Sequence, residues 1–171
     1  GTGKTRTLVE VVRQRVERGE RVLCAAPSNT AVDNLGLRLS AVGVRAVRLG
    51  HPARVAPALH ALTIDAQVDA DGATRLAREW HDRARAIRKT AAGRRGSDAK
   101  ALWQEARVLD QDAAREIANA ERAIVERADV VLATCVGCDH PLLGSIADTP
   151  AFHCVIVDEA TQAADPLLLI A

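Results

Sequence analysis

Two short stretches carry residue types that could do chemistry together. Gly1-Thr2-Gly3-Lys4-Thr5 matches the back half of a phosphate-binding loop, G-x-x-x-x-G-K-[ST], so the chain reads as beginning inside its own nucleotide site. Gly3 has no Cβ, which lets backbone N–H groups approach phosphate oxygens. Lys4 is of the type and position to pair with β- and γ-phosphates. The Thr5 hydroxyl is a Mg²⁺ ligand by the same pattern, at a helix N-terminus whose dipole favours anions. Far along the chain, the apolar run Val155-Ile156-Val157 ends in Asp158-Glu159. An Asp there can hold the metal against Thr5, and the adjoining Glu can take a proton from an attacking water. Transfer to an alcohol does not call for that second acid, so the pair favours hydrolysis. Taken alone, Asp158-Glu159 could equally open an ordinary turn.

The elements that must position these residues follow from hydrophobic periodicity. Leu8, Val9, Val12 and Val16 predict a helix over 5–18, with Gly19 as its stop. The run 21–26 predicts a buried strand ended by Pro27, and Ser28-Asn29-Thr30 opens a second helix carrying Val32, Leu35 and Leu39 as far as Gly43. A strand follows over 44–49. This is the rhythm of a parallel α/β sheet with crossover helices. The stretch 51–71 is poorly periodic. Helices are predicted over 73–91, with Leu76, Trp80, Ala84, Ile87 and Ala91 on one face, and over 98–127, with Leu102, Ala106, Leu109, Ala113, Ile117, Ala120 and Ile124. A Gly-rich turn between them makes an antiparallel hairpin, whose second helix would be ~45 Å long at ~1.5 Å per residue. Trp80 and Trp103 are expected to pack within it. Strands over 130–133 and 153–157 restore the α/β pattern, and Asp165-Pro166 opens a last helix. The domain reading is therefore a P-loop sheet unit over 1–50 and 129–171, interrupted by a helical insertion over 51–128.

Bulk properties narrow the function. The 23 basic and 22 acidic residues give a net charge of +1, so any nucleic-acid contact must come from a local patch. Aromatics at 2% argue against a base-stacking platform. No apolar run approaches the roughly 20 residues of a membrane span. Four cysteines (24, 135, 138, 154) in apolar contexts suggest a reducing, cytoplasmic setting. The excess of Arg over Lys, with abundant Ala and Val, suggests a GC-rich, bacterial source.

Five stretches occur in one order: Gly1–Thr5, Ala26-Pro-Ser-Asn-Thr-Ala-Val-Asp-Asn-Leu35, Arg48-Leu-Gly-His-Pro-Ala-Arg54, Ala133-Thr-Cys-Val-Gly137 and Val157-Asp-Glu-Ala-Thr-Gln162. Together they resemble superfamily 1B helicases of the up-frameshift type, and Arg48–Arg54 resembles most the branch of the immunoglobulin-mu-binding protein. The resemblance implies a truncated RecA-like P-loop domain with a helical insert. It implies an ATP- and Mg²⁺-dependent motor that, in the family, moves 5′ to 3′ on single-stranded RNA or DNA and unwinds duplexes. It implies that Gly1, Thr2, Gly3, Lys4 and Thr5 bind the nucleotide, that Thr5 and Asp158 hold Mg²⁺, and that Glu159 is the base. Gln162 resembles a glutamine that senses the γ-phosphate or couples the two motor domains. Pro27, Ser28, Asn29, Thr134 and Gly137 lie where such motors touch the nucleic-acid backbone. For Thr134 and Gly137 a plain capping turn is the alternative.

The resemblance also implies a second RecA-like domain in cis that supplies arginines to the reaction, so the fragment alone is expected to be inactive. The strand that feeds the phosphate loop is expected upstream, and without it the sheet would have an unpaired edge and marginal stability. Two readings from other classes remain: a P-loop ATPase that does not act on nucleic acid, and a non-catalytic relative that binds nucleic acid or a partner through the hairpin. Cys135-x-x-Cys138 with His140 and Cys154 has a compressed zinc-like spacing, but the resemblance accounts for Thr134–Gly137 without a metal. Arg83, Arg85, Arg88, Lys89, Arg94 and Arg95 make one end of the hairpin basic, either as a phosphate contact or as a solvated face beside Glu79, Asp82 and Asp98. His51, before Pro52, reads as a turn residue.

Overall fold

The computed structural model describes residues 3–144, 152–168 and 170. The chain divides into two compact units, one of Gly1–Gln67 with Ile124–Ala171 and one of Val68–Ala123. In the first, helix α1 (Lys4–Glu17) is followed by strand β1 (Val22–Ala26), helix α2 (Asn29–Ala41) and strand β2 (Ala46–Arg48). After the insertion come β3 (Val130–Thr134), a helical turn α6 (Pro141–Gly144), β4 (Cys154–Val157) and α7 (Asp165–Leu168). In the numbering used here, α3 is Ile64–Asp71, α4 is Ala73–Ala92 and α5 is Ser97–Arg127.

The strands form one parallel sheet in the order β2-β3-β1-β4. All five residues of β1 are buried, as expected of a strand paired on both sides in a parallel sheet with helices against it. Val12 of α1 and Val32, Leu35 and Leu39 of α2 pack with Val22, Cys24, Val130, Leu132 and Ile156 in one core. Parallel pairing has a direct consequence for the site. It brings the C-terminal ends of all the strands to one edge, with Ala26 opposite Thr134 and Ala25 opposite Val157. That edge is where α/β sheets bind ligands. β4 forms an outer strand of this sheet, and its Val155 is 47% exposed.

The ends of the elements shift by one to three residues from the sequence expectation. The strand expected over 44–49 pairs only at Ala46–Arg48, with the Leu49 N–H still donating to Leu132 O at 2.9 Å. The aperiodic stretch after β2 is ordered by two 3₁₀ turns, Pro52–Arg54 and Pro57–Leu62, each opened by a proline whose fixed φ suits a first helical position. Of the span 51–128 read from the sequence as the insertion, residues 124–128 fall in the sheet unit, and so do residues 51–67. Leu59 holds them there: it is fully buried beside Gly36 of α2, where an added Cβ would lie 3.2 Å from Leu59 Cδ1 and 3.0 Å from Leu132 Cδ1. Helix α3 was not read from the sequence. Its apolar residues Ile64, Ala66, Val68 and Ala70 alternate, a strand-like rather than helical period, but Thr63 Oγ1 accepts from the Ala66 N–H at 3.3 Å, a cap that marks its start.

The second unit is dominated by α4 and α5. His81 Nδ1 lies 2.8 Å from Asp110 Oδ1, and Arg88 pairs with the other oxygen of the same carboxylate. Two α4 residues seven apart thus meet one α5 residue, and both partners hold the Asp110 carboxyl below its usual range, His81 first. Ala77, Ala84 and Ala91 are buried at seven-residue intervals on α4, as are Ala106 and Ala113 on α5. This is the heptad spacing of a helix pair, filled by the smallest side chain that still has a Cβ. The expectation that Trp103 packs within the hairpin is corrected: its side chain is 49% exposed. An alanine seam leaves no room between the helices for an indole, so Trp103 lies outside it. No helix among the described residues is long and apolar enough to cross a membrane.

Candidate functional site

α1 starts at Lys4 because Gly3 turns the chain there. Gly3 has φ 79° and ψ 3°, a left-handed conformation that a glycine adopts without a Cβ penalty. Lys4 and Thr5 therefore occupy the first turn of a 14-residue helix, whose free N–H groups attract anions. Gly1 and Thr2 lie outside the described residues. From the far end of the sequence, pairing of β4 with β1 delivers Asp158, whose N–H donates to Ala25 O at 2.9 Å. The Thr5 hydroxyl then donates to Asp158 Oδ2 at 3.4 Å across 153 positions of sequence. Asp158 is 7% exposed, and its Oδ1 accepts from the Glu159 N–H at 2.9 Å.

Glu159 has φ 54° and ψ 30°, and it is the only residue other than glycine with a positive φ among those described. This conformation is strained for a side chain with a Cβ, and such strain clusters at functional sites. It turns the chain sharply after β4 and leaves the Glu159 side chain exposed. A 3₁₀ turn, Ala160–Gln162, follows, with the Gln162 N–H donating to Glu159 O at 2.9 Å. Lys4, Thr5, Asp158, Glu159 and Gln162 all line one open cleft of about 350 Å³. Arg6, Arg38 and Thr161 line it as well, and the sequence reading missed them. Arg6 follows the phosphate-loop motif, and Thr161 lies within the quoted stretch 157–162 without having been assigned a role. Arg38 arrives on α2 through packing alone, and no short motif marks it.

The donor set fits a magnesium-bound nucleoside triphosphate. A hydroxyl and a buried carboxylate facing each other are hard oxygen donors, and Mg²⁺ commonly takes only one or two protein ligands beside phosphate oxygens and water. Among the described residues no three His, Cys, Asp or Glu side chains converge on a ready-made metal site. Cys135 and Cys138 are buried, and burial pushes the Cys138 thiol up to about 11, away from the thiolate that zinc requires. His140 Nδ1 is occupied by the Leu142 N–H at 3.3 Å.

The neighbouring strand ends hold the residues assigned to nucleic acid. Pro27 closes β1. Ser28 is extended (φ −125°, ψ 153°) and caps α2, its Oγ accepting from the Ala31 N–H at 3.2 Å. Asn29 opens α2 and accepts at Oδ1 from Arg48 Nη2 at 2.8 Å. Arg48 is 1% exposed. Its Nε donates to Asp33 Oδ1 at 3.1 Å and its Nη1 to Leu49 O, while Asp33 Oδ2 accepts from the Ala56 N–H at 2.8 Å. This buried pair was not foreseen; an Arg in a strand facing an Asp four residues into a helix leaves no periodic signal. At the end of β3, Thr134 Oγ1 accepts from the Gly137 N–H at 3.0 Å, and a Cβ on residue 137 would sit 2.9 Å from that oxygen. Thr134 and Gly137 thus close the turn after β3. His51 also serves a turn, its Nδ1 accepting from the Ala53 N–H at 3.2 Å.

A parallel sheet whose helix-start lysine and threonine share one cleft with a strand-end aspartate defines a RecA-like P-loop domain. The whole chain, residues 1–171, matches the family model described as AAA domain. It belongs to that family, within the superfamily 1 helicases of the up-frameshift type. It is 35% identical over 168 residues to the DNA polymerase alpha-associated DNA helicase A of Schizosaccharomyces pombe, covering 97% of this chain and 25% of that protein. It is 38% identical over 176 residues to the DNA-binding protein SMUBP-2 of Mus musculus, covering 95% of this chain and 16% of that one. A Regulator of nonsense transcripts 1 homolog of Neurospora crassa is 33% identical over 181 residues, with 99% and 14% covered. The chain thus spans a quarter or less of these relatives. All three are eukaryotic, which gives the bacterial reading of the composition no support.

Proposed function

We propose that this chain is the nucleotide-binding portion of the first motor domain of an ATP-driven helicase or translocase acting on single-stranded RNA or DNA. The observation that carries the proposal is the Thr5–Asp158 contact. Two motifs at opposite ends of the sequence meet at one cleft, as a P-loop site requires. Lys4 and the first N–H groups of α1 hold the triphosphate, aided by Gly3 and, by the same motif, Gly1 and Thr2. Thr5 and Asp158 are the Mg²⁺ ligands. When bound, the metal supplies positive charge beside the phosphate oxygens. Asp158 is held in place by the Glu159 N–H, so its second oxygen stays turned toward Thr5. Glu159, exposed in the same cleft, would receive the proton of the attacking water, and Gln162, lining that cleft, would sense the γ-phosphate or couple the two motor domains. Pro27, Ser28, Asn29, Thr134 and Gly137 form the backbone-contacting edge for nucleic acid. In this proposal a second RecA-like domain of the same protein supplies the arginines that complete the site, and the motor works in the cytoplasm.

The relatives' printed names join DNA helicase, DNA binding and nonsense transcripts, and they support a nucleic-acid track without choosing between RNA and DNA. The test is ATP turnover by the full-length protein with and without single-stranded oligonucleotide. Stimulated turnover that Lys4→Ala abolishes is the expected result. Turnover that oligonucleotide leaves unchanged would point instead to an ATPase without a nucleic-acid track. Turnover surviving Lys4→Ala would overturn the site.

A further inference from the structure

We infer that Arg48, buried behind the proposed nucleic-acid edge, is a positioning residue that fixes which face of Asn29 meets the ligand. The inference rests on the assignment of Ser28 and Asn29 to nucleic acid given above and deepens it.

The argument is one of donors and acceptors. A guanidinium can only donate, so the oxygen of the Asn29 amide must be the atom that meets Arg48 Nη2 at 2.8 Å. Arg48 cannot turn away from this contact. It is fully buried, and its other nitrogens are committed to Asp33 Oδ1 and Leu49 O. Asp33 is anchored in turn by the Ala56 N–H. With its carbonyl turned to Arg48, half-buried Asn29 keeps both amide N–H bonds without a protein partner among the described residues. Next to it, exposed Ser28 uses an oxygen lone pair on the Ala31 N–H, so its own hydroxyl proton remains available. Asn29 therefore turns N–H donors outward and Ser28 keeps a hydroxyl donor beside one spare lone pair, at the start of a 13-residue helix whose first N–H groups are donors too. The matching ligand is one that only accepts, and a phosphodiester oxygen is such a group. Every nucleotide carries the same phosphate acceptors, so donors aimed at them grip the backbone without reading sequence.

The experiment measures the affinity of the full-length protein for labelled single-stranded oligothymidylate and oligouridylate. Asn29→Ala is expected to weaken binding by about tenfold, the loss of one hydrogen bond to a charged group. Asn29→Asp is expected to bind more weakly still. It keeps the partner for Arg48 but sets a carboxylate oxygen against phosphate, and its thermal stability should not fall. Arg48→Lys, whose point charge cannot serve Asp33 and Asn29 together, should weaken binding in the wild-type background and have little further effect on Asn29→Ala. Equal effects of Arg48→Lys in both backgrounds would overturn the positioning role, as would Asn29→Asp binding like wild type. Should Arg48→Lys fail to fold, the comparison of Asn29→Asp with Asn29→Ala decides alone. Wild-type binding by Asn29→Ala is a different failure: it would remove Asn29 from the nucleic-acid edge itself.

Discussion

Glu159 joins strain and chemistry in one residue, and substitution can separate them. Its left-handed backbone costs a non-glycine residue about 1–2 kcal/mol. Its side chain is exposed and has no hydrogen bond or ion pair in the described structure, so removing it sacrifices little packing. Glu159→Gly should release the strain. The greater freedom of glycine in the unfolded chain takes back about 0.4–1 kcal/mol, which leaves a net gain of roughly 0–1.5 kcal/mol. At this size the gain corresponds to a rise in Tm of about 2–4 °C per kcal/mol. Glu159→Asn, a residue tolerant of the left-handed region, should be neutral to slightly stabilising. Glu159→Val, β-branched and ill-suited to positive φ, should lower stability. Hydrolysis should follow a different order, with Gly, Asn, Val and the isosteric Gln all losing about a hundredfold or more in ATP turnover. Thermal unfolding of this 171-residue chain measures the first series, and steady-state turnover of the full-length protein the second. Val tolerated as well as Asn would show that the backbone at 159 is not strained. Turnover retained by Glu159→Gln would show that the carboxylate is not the base.

Other predictions concern the core and the hairpin. Burial pushes the Cys24 thiol up to about 12. Its raised value means that the associated stability is intact below the ordinary thiol range near 9 and is lost as pH rises from there toward 12. The slope approaches about 1.4 kcal/mol per pH unit, and Cys24→Ala should flatten it in urea titrations. Arg48→Met should leave the Asp33 carboxylate buried and unpaired, destabilising the sheet unit by about 3–5 kcal/mol. Hydrogen exchange would show this as lost protection over 29–41 and 46–56, and unchanged protection would refute the buried pair. Among the basic residues of the hairpin, Arg85 and Arg88 are paired with Asp82 and Asp110. Arg94 and Arg95 are exposed in the turn. Arg94→Gln with Arg95→Gln should lower the salt dependence of nucleic-acid binding; an unchanged slope would make that end a solvated surface.

Much of this protein is legible from its residues alone. Continuous apolar runs such as Val130–Ala133, and apolar residues at three- and four-residue spacing such as Leu8, Val12 and Val16, report elements whose burial is local and periodic. The phosphate-loop residues and Asp158-Glu159 are legible because their chemistry demands particular residue types at fixed spacing. What the sequence could not display is whatever depends on meeting across space. Ala84, Ala91, Ala106 and Ala113 of the hairpin seam were legible as one face of each helix, whereas the position of Arg38 in the cleft and the tucking of Leu59 against Gly36 arise from packing between different elements. The Asn29–Arg48–Asp33 network belongs to the same class. Buried polar partners carry no period, and each is tolerated only because the fold places its complement within hydrogen-bond reach. The backbone strain at Glu159 is likewise a tertiary decision. Nothing about a glutamate after a strand calls for positive φ; the turn that brings Gln162 to the cleft imposes it.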